Sequence, residues 1–328
     1  MRLGLSECGY TLVELMVALT LGAVLFAGSI EIYERSRAVY NEQKATSVVV
    51  ENGRVMSQVL RNVFANSGYW GCLADKRDAL HLDVTNPAAD AFPYFTGRPS
   101  TEATDLGISR TVLSDIITVF TAESDTQAFT CIHDPADPNV CPEELILESG
   151  ATSPSHILSF DASGHGFSAG DLIVLSDCRQ ATALVVNSIA DATQLQYGGT
   201  TCGADDPRCT FGDRVSVMRI QKRHFYYAAN DRGSNSFYLQ LENGSEVELI
   251  DGVTSFSVRY GVDDQRYDGS VFVSGPDGSV DQYVSLADNP DWESVMSARF
   301  EYTISSLGFN PVEKSFETVA TLRNYRKD

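Results

Sequence analysis

Gly9-Tyr-Thr-Leu-Val-Glu-Leu-Met-Val-Ala-Leu-Thr-Leu-Gly-Ala-Val-Leu-Phe-Ala-Gly-Ser-Ile30 decides how this chain of 328 residues is read. Beyond Tyr10 it is almost wholly apolar, and at a helical rise Tyr10 to Ile30 spans roughly 30 Å, the thickness of one hydrocarbon core. One carboxylate, Glu14, interrupts it. A charge at the centre of a bilayer costs roughly 2.5–3.5 kcal/mol, so an acid in such a segment signals a function. An ordinary secretory signal has a basic start, an apolar core shorter than this one and a small-x-small cleavage site. Here the single base Arg2 is offset by Glu7, and the apolar run is too long. A plain membrane anchor would account for the length and leave Glu14 without a reason.

The apolar run does not stop cleanly. Glu31-Ile-Tyr-Glu-Arg-Ser-Arg37 is charged, as expected where a helix leaves a membrane, and apolar residues then recur at Val49, Met56, Val59, Leu60 and Val63 near a 3.6-residue spacing. Asn66-Ser67-Gly68 supplies a stop signal. The spacing therefore predicts one helix from Tyr10 to about Asn66, apolar all round in its first half and one-sided in its second. Gly22, Gly28 and Gly53 interrupt it at about 1 kcal/mol each relative to alanine, which marks them as bends or close-packing points.

After Cys72 the pattern is that of strands. Asp115–Thr121, Asp171–Ser176 and Ala183–Asn187 are short β-branched runs, while Arg214–Ile220, Ser255–Tyr260 and Met296–Ile304 alternate apolar and polar residues. Phe237–Leu241 and Glu246–Ile250 flank Asn243-Gly244, a hairpin signal. Thr85–Thr111 and Cys131–His156 are rich in Pro, Asp and Ser and read as surface loops. The expected fold class is α+β: a long N-terminal helix on a largely antiparallel sheet.

A net charge of -20 argues against a surface that coats nucleic acid or docks on anionic lipid, both of which need basic stripes. Of seven cysteines, Cys8 falls in the short segment before Tyr10, leaving Cys72, Cys131, Cys141, Cys178, Cys202 and Cys209. An even remainder fits disulfides in an oxidising compartment, whereas a zinc site would need close-spaced pairs that are absent here. The short separations favour Cys131–Cys141 and Cys202–Cys209, with Cys72–Cys178 as a long-range staple, among the 15 pairings that six cysteines allow. His81, His133, His156, His165 and His224 are scattered, no serine sits in a G-x-S-x-G elbow, and no phosphate-binding glycine loop is present, so no enzyme is expected. Asp268, Asp277 and Asp281 lie in a Gly- and Ser-rich turn region with loose oxygen-ligand spacing. Calcium binding and a solvated hairpin with acidic turns are the two readings of it. No other cofactor is expected.

A short leader ending in Gly9, an aromatic Tyr10, and Glu14 four residues on before a long apolar helix together resemble the class III signal of type IV pilins and type II secretion pseudopilins. Glu51-Asn-Gly-Arg54, Ser67-Gly-Tyr-Trp-Gly-Cys72 and Leu249-Ile-Asp-Gly-Val-Thr-Ser-Phe-Ser-Val-Arg-Tyr-Gly-Val-Asp263 resemble PilW-type minor pilins, and so does Trp292 followed by Met296–Ile304. The 249–263 segment is shared in outline with J-type pseudopilins. The resemblance covers residues 1–72 and about 220–305, and nothing in 73–210. It implies a leader over residues 1–9, a membrane and assembly half-helix over 10–30, an amphipathic half over 31–66 and an extracytoplasmic β-rich globule over 67–328. It also implies cleavage by a prepilin peptidase between Gly9 and Tyr10, N-methylation of Tyr10 and pairing of Glu14 with the new α-amino group during assembly. The implied partners are the peptidase, other minor pilins and the major pilin, with a tip adhesin as a further candidate. Direct binding of nucleic acid is not expected. The implied location is the inner membrane, N-terminus cytoplasmic and globule periplasmic, and then the pilus fibre at the cell surface. A J-like pseudopilin is the first alternative, and a membrane-anchored enzyme or glycan-binding module the alternative from another class.

Overall fold

The computed structural model describes residues 11–70, 80–82, 95–122, 128–130, 145–146, 157–160, 166–177, 179, 181–192, 194–197, 210–211, 215–267, 272–274, 278–292, 294–306 and 311–322. It contains one long helix, α1 (Leu12–Ala65), and then strands. In chain order these are β1 (Leu80–Leu82), β2 (Phe95–Arg98), β3 (Ile116–Ala122), β4 (Ala128–Thr130), β5 (Leu145–Ile146), β6 (Ile157–Ser159), β7 (Leu172–Ser176), β8 (Ala181–Asp191), β9 (Gln194–Tyr197) and β10 (Thr210–Phe211). There follow β11 (Val215–Ala229), β12 (Asn235–Gln240), β13 (Glu246–Asp251), β14 (Val253–Val262), β15 (Gln265–Tyr267), β16 (Phe272–Ser274), β17 (Gln282–Val284), β18 (Val295–Ser305) and β19 (Glu313–Thr321). The α+β class read from the sequence is the class observed.

The chain divides into two compact units, Met1–Glu51 with Ser305–Lys314, and Asn52–Ile304 with Ser315–Asp328. Within the first, every side chain of α1 from Leu12 to Lys44 is exposed. In the same unit the Ser306 and Val312 backbones are joined at 2.9 Å, with the Ser306 hydroxyl accepting from the Val312 N–H.

Within the second unit, α1 buries Gly53, Met56, Leu60 and Phe64, a stripe at spacings of three and four that is one face of a helix. Gly53 is a close-packing point. A methyl group there would overlap the Phe316 ring of β19. At Gly22 or Gly28 a methyl group would meet nothing within 4 Å. After Ala65 the chain turns at Gly68, whose φ of 69° favours glycine. The Gly68 N–H then donates to the Phe120 carbonyl at 2.9 Å, so the residues just after the helix run onto the end of β3.

β11 is the spine of the largest sheet. Its first residues pair with β4 on one edge and β7 on the other, and its later residues with β3 and β12. One strand therefore serves two sub-sheets with separate cores. The β6–β9 side buries Leu158, Phe160, Ile173, Leu184, Leu195 and Phe211. The β12–β13 side buries Ile116, Tyr226 and Tyr238 beneath Ala103 and Ile108. A four-stranded sheet, β17-β14-β18-β19, completes the unit. Phe64, Phe95, Phe300, Tyr260 and Trp292 meet with centroid separations of 4.5–5.9 Å, joining α1, β2, β14 and β18 in one aromatic core.

Two loop expectations need correction. Thr85–Thr111 contains β2, a strand of the large sheet whose Phe95 is buried, followed by the buried Ala103 and Ile108. Cys131–His156 contains β5, which pairs with β10. Phe-Thr-Gly-Arg and Leu-Ile are too short to display a period of two, so composition dominated the reading. The Asn243-Gly244 hairpin is present, with Glu242-Asn-Gly as a three-residue loop and Gly244 at φ 80°.

Candidate functional site

The first turn of α1 is built by Thr11. Its hydroxyl accepts the Glu14 N–H at 3.3 Å, which satisfies one of the amides that a helix start leaves open. The spacing Thr11-Leu-Val-Glu14 is that of a capping box, a signal the sequence reading passed over. It fixes where the helix begins and places Glu14 at the third helical position. There a negative charge is favoured by the helix dipole.

Between Leu12 and Ile30 three side chains are polar: Glu14, Thr20 and Ser29. Thr20 donates to the Val17 carbonyl and Ser29 to the Leu25 carbonyl, each at 2.9 Å. Both hydroxyls are thus satisfied within their own helix, as an apolar surrounding requires. The Glu14 carboxylate is exposed and has no partner among the described residues. Around it stand Leu12, Val13, Leu15, Met16 and Val17, all exposed and all more than half accessible. The helix is long and apolar enough to cross a membrane by length and composition.

Residues 5–30 match a family model described as the prokaryotic N-terminal methylation motif. This chain carries a prepilin-type N-terminal signal. The motif implies processing by a prepilin peptidase and assembly with other pilins. No curated protein and no solved structure matches the chain. Gly9 and Tyr10, the residues at the expected cut of this prepilin-type signal, lie outside the described residues, and so do Cys72, Cys131, Cys141, Cys178, Cys202 and Cys209.

Of the three candidate calcium residues, Asp268 and Asp277 also lie outside the described residues. Asp281 Oδ2 accepts the backbone N–H groups of Asp264 and Gln265, each at 2.8 Å. The buried Asp263 accepts the Gly278 N–H at 2.9 Å. Both acids thus staple the chain between β14 and β17. Among the described residues no group of three or more His, Cys, Asp or Glu side chains is placed to hold a metal ion.

A second cluster of ionisable groups lies on β11–β13. Glu246 accepts from Arg110 Nε at 2.9 Å and from the Tyr226 hydroxyl at 2.7 Å, while the Arg110 guanidinium lies 4.6 Å from the Tyr238 ring centroid. Burial, followed by the Glu246 contact, pushes the Tyr226 hydroxyl far above its ordinary range, so it stays a donor. The sequence shows no sign of this cluster, because Arg110 and Glu246 are 136 residues apart. It pins the segment that follows β2 onto the sheet.

Proposed function

We infer that this chain is a minor pilin of the PilW type, acting in assembly or initiation of a type IV pilus at or near the tip. The observation that carries the reading is Glu14. Among the described residues from Leu12 to Ile30 it is the one polar side chain that its own helix leaves unsatisfied, and it stands one turn from the expected new N-terminus at Tyr10. An amine cation buried among neighbouring helices is costly alone, and a carboxylate one turn away neutralises it, from the same chain or the next. The size of the β-rich part supports a place near a filament end, where bulk beyond the helix meets fewer neighbours. The reading places the globule in the periplasm before assembly, needs no cofactor and involves no catalysis by this chain.

A J-like pseudopilin of a type II secretion system is the second reading, favoured by the shared segment 249–263. Co-purification with pilus fibres against co-purification with a secretion apparatus separates the two. The site itself is tested by Glu14→Ala in the full-length chain. Membrane insertion and leader removal are expected to persist while incorporation into fibres is lost. Incorporation at the normal level would overturn the assembly role. Gly9→Val is expected to leave the leader attached, seen as a slower-migrating band.

A further inference from the structure

The chain contains two Asn-Gly pairs, Asn52-Gly53 and Asn243-Gly244, and the fold treats them in opposite ways. Asn52-Gly53 lies inside α1, where the Gly53 amide belongs to the helical hydrogen-bond ladder. Helical backbone angles hold that nitrogen away from the Asn52 carboxamide, and Gly53 is buried under Phe316. Asn243 and Gly244 are both exposed at the tip of the β12–β13 hairpin. A methyl group at Gly244 would meet nothing within 4 Å, so the turn is uncrowded on that side. Asn243 Oδ1 accepts the Ser245 N–H at 2.9 Å, which polarises the carboxamide and makes its carbon more electrophilic. The Gly244 N–H itself donates to the Leu241 carbonyl at 2.9 Å. That bond belongs to an exposed turn, the class of backbone hydrogen bond that opens at least cost.

We propose that Asn243 is a site of spontaneous covalent modification: deamidation through a cyclic imide. The Gly244 nitrogen gives up its proton to solvent base and forms a bond to Asn243 Cγ. The Cγ–Nδ2 bond breaks and ammonia leaves with a proton from solvent. One water then opens the imide. Attack at Cγ gives aspartate, and attack at the main-chain carbonyl gives isoaspartate, in which the backbone runs through Cγ. One water enters and one ammonia departs, with no change of oxidation state. The product adds a negative charge between Glu242 and Glu246. The isoaspartyl form also lengthens the turn that sets the pairing of Gln240 with Glu246. Because Glu246 also holds Arg110 and Tyr226, the change reaches the clamp on the segment after β2.

The test incubates the full-length protein in detergent at mildly alkaline pH and follows both Asn-Gly pairs by peptide mass mapping and isoaspartyl methyltransferase labelling. Asn243 is expected to show the mass gain of an NH2-to-OH exchange at least about tenfold faster than Asn52. That is the factor that about 1.4 kcal/mol of easier local opening produces. Equal rates at the two pairs, or an intact Asn243, would overturn the proposal. Asn243→Gln lengthens the side chain by one carbon and disfavours the five-membered ring. The acidic species that grows during incubation in isoelectric focusing is expected to disappear in that variant, and its persistence would also overturn the proposal.

Discussion

His224 sits on β11 with Nδ1 2.8 Å from the Thr118 hydroxyl, and it is buried. Burial first, and then the charges of Lys222 and Arg98, lower its pKa from 6.5 to about 4. The neutral ring is therefore the folded form. As pH falls below 6.5 the unfolded chain gains a proton on this residue that the folded chain does not, until about pH 4. Up to about 3 kcal/mol of stability is expected to drain away across that window. Denaturant midpoints of the wild type and of His224→Gln, followed across the same pH range, check this, since the variant lacks the loss assigned to the ring. Gly53 makes a second prediction at this scale. Alanine would favour the helix by about 1 kcal/mol, but its methyl meets the Phe316 ring, so Gly53→Ala is expected to cost about 1–2 kcal/mol net in urea unfolding.

Between elements, the second part of α1 is tied to the four-stranded sheet by a one-directional relay of hydroxyls. Thr318 donates to Ser57 at 2.8 Å, Ser57 stands 2.6 Å from the Tyr302 hydroxyl, and Tyr302 donates to the Gly53 carbonyl at 2.9 Å. The relay crosses the point where Gly53 lets the helix approach β19, so close packing and hydrogen bonding reinforce each other. Tyr302→Phe leaves the Gly53 carbonyl and Ser57 without this partner and is expected to cost about 1–3 kcal/mol. Thermal or urea unfolding measures it, and an unchanged midpoint would mean that water replaces the hydroxyl. The other half of α1 presents its apolar side chains outward from Leu12 to Ile30. Its hydroxyls are satisfied internally and its one carboxylate is not, an arrangement suited to exchanging a lipid surrounding for neighbouring helices.

For the β-rich unit as a whole, Phe95 is the side chain on which several parts converge. It is 1 % exposed and its ring meets Phe64 of α1, Tyr260 of β14 and Trp292. Phe95→Ala is expected to cost about 3–5 kcal/mol, read from the shift of the unfolding midpoint. Yet Phe95 falls in a segment that reads as a loop, because four residues containing a glycine carry no periodic signal. The long helix, the hairpin at Asn243-Gly244 and the strands β3, β7, β8, β11 to β14 and β18 were legible, since each is announced by neighbours within one period of three to four residues or of two. Glu14 was legible for a similar reason: a charge in an apolar run contrasts with its immediate surroundings. The partners of Phe95, the Arg110–Glu246 clamp and the double service of β11 rest on contacts across long separations, which local pattern does not encode. By itself, the sequence determined the helix, its apolar half and the carboxylate within it, because these depend on spacing along one chain. Tertiary structure alone decided which residues close the aromatic core and which of two identical Asn-Gly pairs lies open to solvent, because burial depends on what the rest of the chain brings alongside.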